Sequence, residues 1–231
     1  MSLEKIIPKD WGLINLSELT SLITKGTTPT TNGFSYLEDG VNFVKVESIL
    51  SNGSFIPSKF AHVSDDCHDS FKRSQLNEGD ILFTIAGALG RSAIVESYML
   101  PANTNQALAI IRLNNKEYLN YILQLLQSSV MKKYIYQNVS VGAQPNLNLE
   151  QIGSFRFSVP SLPEQQKIAN FLSAVDKKIE QLRQKVSLLE AYKKGMMQQL
   201  FSQQIRFKDD NGEAFGDWEV KKLGEVAKKV K

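Results

Sequence analysis

The spacing of apolar residues changes character near residue 162. Before that point, short apolar runs alternate with turn signals. Val41–Val46, Asp80–Ile85, Ser92–Val95 and Ala107–Leu113 are brief, rich in branched or aromatic side chains, and bounded by breakers, so they read as strands. Thr27–Gly33, Gly87–Gly90 and Pro101–Asn105 carry the Gly, Pro, Thr and Asn that favour turns, and read as loops. From Tyr118 to about Tyr136, Leu119, Ile122, Leu125, Leu126, Val130 and Tyr134 recur at helical spacing. This mixture predicts an α+β domain over residues 1–160.

From Leu162-Pro163-Glu164-Gln165 to about Ser202, there is no proline after Pro163, and Gly195 is the only glycine. Pro163 suits the first turn of a helix, and Glu164 suits the positive end of its dipole. Asn211-Gly212 marks a turn further on. The pattern predicts one helix over residues 161–203, with about 39 helical residues and a length of roughly 58 Å at 1.5 Å per residue. Its apolar residues are Ile168, Leu172, Val175, Ile179, Leu182, Val186, Leu189, Met196 and Leu200, spaced by alternating steps of four and three, with Lys193 as the one polar interruption. Asp176, Lys178, Arg183, Lys185 and Glu190 flank that stripe. A helix lying on a globular core has a wider stripe and a shorter run. A narrow seam sustained over more than four heptads belongs to a coiled coil, so the fold expected is a mixed globular domain followed by one long coiled-coil-forming helix. One chain cannot cover that seam by itself, and a second helix is expected against it.

A weak repeat closes the chain. Asp10-Trp11, Leu16, Glu18 and Leu19 recur as Asp217-Trp218, Leu223, Glu225 and Val226, every pair offset by 207 residues. Residues 204–231 therefore read as the start of a second, truncated copy of the domain.

Composition narrows the function. Hydrophobic residues make up 42% of the 231 and charged residues 22%, as in ordinary soluble proteins. Cys67 is the only cysteine, which excludes an intrachain disulfide and a Cys-cluster zinc site and suits a reducing, cytoplasmic setting. No apolar run approaches the roughly 18–20 residues of a membrane span, so no membrane partner is expected. The net charge of +3 is uneven: −1 over residues 1–163, +4 over 164–206 and 0 over 207–231. No catalytic motif emerges. Gly87-Ala-Leu-Gly90 is too sparse for a nucleotide fingerprint. His62, Cys67 and His68, near Asp65 and Asp66, fit no standard metal template, and Asp209-Asp-Asn-Gly212 lacks the alternating acids of a calcium loop. Neither a catalytic residue, a metal nor a cofactor is expected.

Leu162-Pro-Glu-Gln-Gln-Lys-Ile-Ala-Asn-Phe-Leu-Ser-Ala-Val-Asp176 resembles the start of the conserved helix in specificity subunits of type I restriction–modification enzymes. Trp11 to Pro29, Gly79-Asp-Ile-Leu-Phe-Thr84 with Gly87 and Gly90, Asn105-Gln106, Tyr118-Leu-Asn-Tyr121 and Gly142 to Leu149 follow in that family's order, and Asp217-Trp218 resembles the opening of a second recognition domain. The resemblance implies a non-catalytic subunit that reads a bipartite sequence in double-stranded DNA through two target recognition domains held apart by antiparallel helices. It also implies two kinds of protein partner. Modification (methyltransferase) subunits are placed on target adenines, and a restriction (motor and endonuclease) subunit joins them. This chain carries one recognition domain and one helix. Pairing of two chains through antiparallel helices would rebuild a complete subunit, and the homodimer would read an interrupted palindrome.

Phosphate contacts use Lys, Arg and small polar groups, while base edges are read by Arg, Lys, Asn and Gln. The loop candidates for DNA contact are Lys25, Thr27, Thr28, Lys72, Arg73, Arg91, Ser92, Lys132, Lys133, Gln144, Asn146 and Asn148, with Arg91 foremost because it sits between a tight turn and a strand. Gln165 and Gln166 in the first helical turn are candidates for contact with a modification subunit. Other readings remain open at this point: a module of a type IIB-like system, a silent recombination cassette, or a coiled-coil adaptor with an α+β head.

Overall fold

A computed structural model describes Pro8, residues 11–139 and residues 145–227. The chain divides into two compact units, residues 1–174 and 175–231. The first is an α+β domain. Its strands are β1 (Gly12–Asn15), β2 (Thr20–Lys25), β3 (Val41–Val44), β4 (Ala61–Val63), β5 (Ile81–Thr84), β6 (Ser92–Ile94), β7 (Ala102–Thr104), β8 (Leu108–Leu113) and β9 (Arg156–Val159). Its helices are α1 (Asp65–Ser70), α2 (Leu119–Gln127), α3 (Ser129–Asn138), α4 (Leu149–Gly153) and the opening turns of α5 (Leu162–Phe201).

The central sheet has the order β2-β8-β5-β6, with every neighbouring pair antiparallel. A second sheet, β4-β3-β7, pairs β3 with β7 in parallel, and β1 pairs with β9. The central strands are apolar on consecutive positions because both faces of the sheet are covered. Ile81, Phe83, Ala109 and Ile111 point into one cluster with Ile122, Leu126 and Phe155. Leu82, Leu108 and Ile110 point the other way, into a cluster with Val44 and Ala102 from the second sheet. The polar residue inside β8, Arg112, grips Asp80 with two hydrogen bonds of 2.7 and 2.8 Å. Asp80 is 1% exposed and also accepts from the Asn77 amide, so this pair anchors the start of β5, and it raises the arginine's pKa.

Three expectations differ from the structure. The helix expected over Tyr118–Tyr136 is two helices. Ser128 is extended, and its hydroxyl accepts from the Met131 amide as the N-cap of α3, which breaks the run despite its continuous apolar spacing. Ile168, placed in the helix seam by its spacing, packs instead against the domain's own core beside the buried Ala169. Gln165 is buried as well, its amide donating to the Pro160 carbonyl at 2.8 Å, which removes it from the exposed first turn.

In the second unit, the remainder of α5 is followed by irregular chain and α6 (Leu223–Val226). Phe201 meets Trp218 edge to face at 6.2 Å, and Arg206 holds Asp217 and the Phe215 carbonyl. The repeat has a structural counterpart. The Asn15 amide donates to Glu18 at 2.8 Å, and the Lys222 amide donates to Glu225 at 3.2 Å, so both copies open their helical turn with a glutamate reaching back to the N-cap amide. Their apolar residues fare differently: Leu16 is 0% exposed and Leu223 78%.

Candidate nucleic-acid interface

Alternating strand direction brings β2's end, β8's start, β5's end and β6's start to one end of the central sheet. β3 ends there too, since Val44 pairs with Thr104 just before the loop into β8. The connections at this end are therefore neighbours although they are remote in sequence.

The segment after β2 packs tightly on the segment before β8. The Gly26 and Thr27 amides donate to the Leu108 and Thr104 carbonyls. A Cβ on Gly26 would lie 2.0 Å from the Thr104 oxygen, so only glycine permits this approach. Thr28 then donates to the Gln106 side chain at 2.6 Å, and Arg73 donates to Thr27 at 3.3 Å. Lys25, Gln106, Asn146 and Asn148 line one cleft of about 240 Å³ together with Ile85 and Ala86. That volume falls below the usual range for small-ligand pockets. The cleft is an indentation in a polar loop surface and encloses no substrate-sized space.

Of the twelve residues expected at a DNA surface, the structure brings six together here: Lys25, Thr27, Thr28, Arg73, Asn146 and Asn148. Lys72 is exposed beside Arg73, and Lys132 and Lys133 are exposed on α3, whose Ile135 faces the Gly90 turn. Asn148 is already engaged as the cap of α4, accepting from the Gln151 amide at 2.7 Å. Gln144 lies outside the described residues.

Arg91 does structural work. Its guanidinium donates to the Ile49 carbonyl at 2.7 Å, and its amide donates to the Thr84 hydroxyl, which closes the Gly87–Gly90 turn by donating to the Ala88 carbonyl. Ser92 is 1% exposed inside β6, where both faces of the sheet are covered, so its side chain does not reach the loop surface.

Sequence reasoning missed Gln106 as a surface residue, and also Lys45 and Tyr36. Lys45 follows β3 at this same end, 5.4 Å from the Tyr36 ring centre and 2.9 Å from Glu47. Its hydrogen bond holds the Glu47 carboxyl below the usual range. The signal available was positional. Asn105 folds an Asx turn onto the Ala107 amide, which leaves Gln106 at the loop tip.

The other polar cluster is structural. His68 lies 2.5 Å from the Asn103 side chain, and burial raises the pKa of the Cys67 thiol. Among the described residues, no group of three or more His, Cys, Asp or Glu is placed to hold a metal. No described helix is long and apolar enough to cross a membrane.

The chain thus combines a mixed α+β domain with a polar, cation-bearing loop surface and a long helix with a half-exposed apolar stripe. A family model described as the type I restriction modification DNA specificity domain matches residues 8–191, and the chain belongs to that family. The MjaVIII type I restriction enzyme specificity subunit of Methanocaldococcus jannaschii is 29% identical over 231 residues, which cover 95% of this chain and 50% of that protein. The EcoBI specificity subunit of Escherichia coli is 24% identical over 216 residues, covering 92% and 44%. Among solved structures, the HsdS subunit from Thermoanaerobacter tengcongensis superposes with a TM-score of 0.58 at 17% identity, over 83% of this chain and 48% of that one, and shows the shared fold. The chain spans about half the length of the curated relatives it matches.

Proposed function

We propose that the chain is a half-length, non-catalytic specificity subunit of a type I restriction–modification complex. Its recognition domain reads one DNA half-site through the loops at the end of the central sheet. The observation that carries this reading is the convergence of Lys25, Thr27, Thr28, Arg73, Gln106 and Asn146 from segments far apart in sequence. Phosphate contacts fall to Lys25, Lys72, Arg73, Lys132 and Lys133, and base contacts to Gln106 and Asn146. Modification subunits supply methyl transfer and a restriction subunit supplies cleavage. A solved neighbour describes complex assembly in a type I system.

Two chains pair through antiparallel helices to present two recognition domains. Support comes from the seam: Val175, Ile179, Leu182, Val186 and Leu189 are 41–55% exposed in the isolated chain. Residues 204–231 form the opening of a second recognition-domain copy, a reading supported by the repeated cap at Asn15 and Lys222.

The test is DNA binding of the chain with its modification partner across salt concentrations. The reading expects preference for one sequence that survives moderate salt. Affinity that collapses equally for all sequences as salt rises contradicts it.

A further inference from the structure

The pairing proposed above leaves open which residues face each other, and the flanks of the seam decide it. Leu172, Ile179, Val186, Lys193 and Leu200 occupy the a positions, and Val175, Leu182, Leu189 and Met196 the d positions. The e flank then reads Asp176, Arg183, Glu190 and Met197, and the g flank Lys178, Lys185, Tyr192 and Gln199. Arg183's ion pair within the chain is a loose one, to Glu180 at 4.0 Å with both side chains largely exposed.

In a parallel pair, Lys193 faces Lys193 across the core and Lys178 approaches Arg183, so like charges meet in two layers. Antiparallel pairing places a against d, e against e and g against g, and it can settle in registers one heptad apart. Centring the pair on the Ile179–Leu182 layer sets Asp176 against Arg183 twice but also Lys178 against Lys185 twice, so its gains are offset by repulsion. It also places Lys193 opposite Ile168, which packs on its own domain's core. Centring it on Leu182–Val186 sets Arg183 against Arg183, Lys185 against Lys185 and Asp176 against Glu190. Centring it on Val186–Leu189 sets Arg183 against Glu190 twice, Lys185 against Tyr192 and Lys178 against Gln199. No like charges meet in this last register. Its core layers are Ile179–Met196, Val186–Leu189, Leu200–Val175 and Lys193–Leu182, and the lysine stem can lie along leucine while its ammonium reaches water. The overlap then runs over residues 174–201 of both chains and leaves the domain-packed turns of α5 outside it.

We infer that a second copy of this chain docks antiparallel on α5 in the Val186–Leu189 register, with reciprocal Arg183–Glu190 pairs fixing it. This rests on the helix pairing proposed above and adds its geometry. One register step slides the helices by about 10 Å, roughly three base pairs of DNA, so the register sets the gap between half-sites.

Three double-cysteine variants separate the registers, because each places cysteines opposite each other in one register: V186C/L189C, I179C/L182C and L182C/V186C. Cys67 is buried and stays in place. The expected result is rapid disulfide-linked dimer from V186C/L189C and little from the other two. Fastest linkage of either other variant overturns the register. A wild-type chain that sediments as a monomer at micromolar concentration overturns the pairing itself, which is a different failure. As a second measurement, R183E and E190R should each weaken self-association about ten-fold, and R183E/E190R should restore it to within about two-fold. A double variant as weak as the single ones contradicts the reciprocal pairs.

Discussion

The recognition domain and the outer part of α5 use the same apolar residues to opposite effect. In the domain, Ile81, Leu82, Phe83, Ile110 and Ile111 are fully buried on two faces of one sheet. On α5, Val175, Ile179, Leu182, Val186 and Leu189 are about half exposed. The difference is geometric. A sheet strand puts alternate residues on opposite faces, and layers from the same chain cover both. A single helix presents one stripe over many turns, and among the described residues α5 is the one helix of that length. The domain therefore closes its own core, while the α5 stripe stays half exposed in the isolated chain, as the proposed helix pairing requires.

The comparison can be broken from either side. Phe83→Ala removes a fully buried ring between sheet and helices and should cost about 3–5 kcal/mol of domain stability, read from denaturant midpoints. If Phe83→Ala costs no more than Leu182→Ala in the same assay, the contrast between a closed core and an open seam fails. Next in size is Asp80→Ala, which strips Arg112 of its partner. The buried-pair range is discounted because Arg112 is 31% exposed, giving an expected loss of about 2 kcal/mol with little change in oligomeric state. Leu182→Asp should reverse that pattern, weakening self-association at least about 100-fold while the domain's unfolding midpoint stays put. A Leu182→Asp chain that stays dimeric assigns the interface elsewhere.

Smaller effects sharpen the DNA surface. Lys25→Ala and Arg73→Ala should each weaken DNA binding about five- to ten-fold and lower the salt slope by about one. Ser92→Ala, inside the sheet, should leave affinity within about two-fold once folding is matched. Equal effects at all three sites would dissolve the assignment of the sheet-end loops.

Much of this was legible from pattern alone. The long helix announced itself because its spacing stays regular over many turns and no breaker interrupts it. β5 and β8 were legible because burial on both faces gives continuous apolar runs. β4, β7 and β9 are three or four residues each, too short for a period to register, and they are held by pairing partners far away in sequence. The break at Ser128 was hidden because the apolar spacing continues across it, while a cap depends on one hydroxyl's orientation. At the candidate surface, residue type singled out Lys25, Thr28 and Arg73, which the fold places at one end of the central sheet, since loop cations and hydroxyls look alike in sequence and in space. It gave no sign that the Arg91 guanidinium is held by the Ile49 carbonyl or that Ser92 turns inward, because both depend on segments remote in sequence or on the sheet. Gln106 needed the fold: its importance comes from Thr28, 78 residues earlier in the chain.

The central claim is that two identical chains present two identical reading heads. Methylome sequencing of a host strain with and without this gene measures that directly. The account predicts one methylated motif that depends on the gene, made of two half-sites related by two-fold symmetry and separated by a fixed gap. A gene-dependent motif with two unlike halves, or no change in methylation when the modification partner is present, would contradict it.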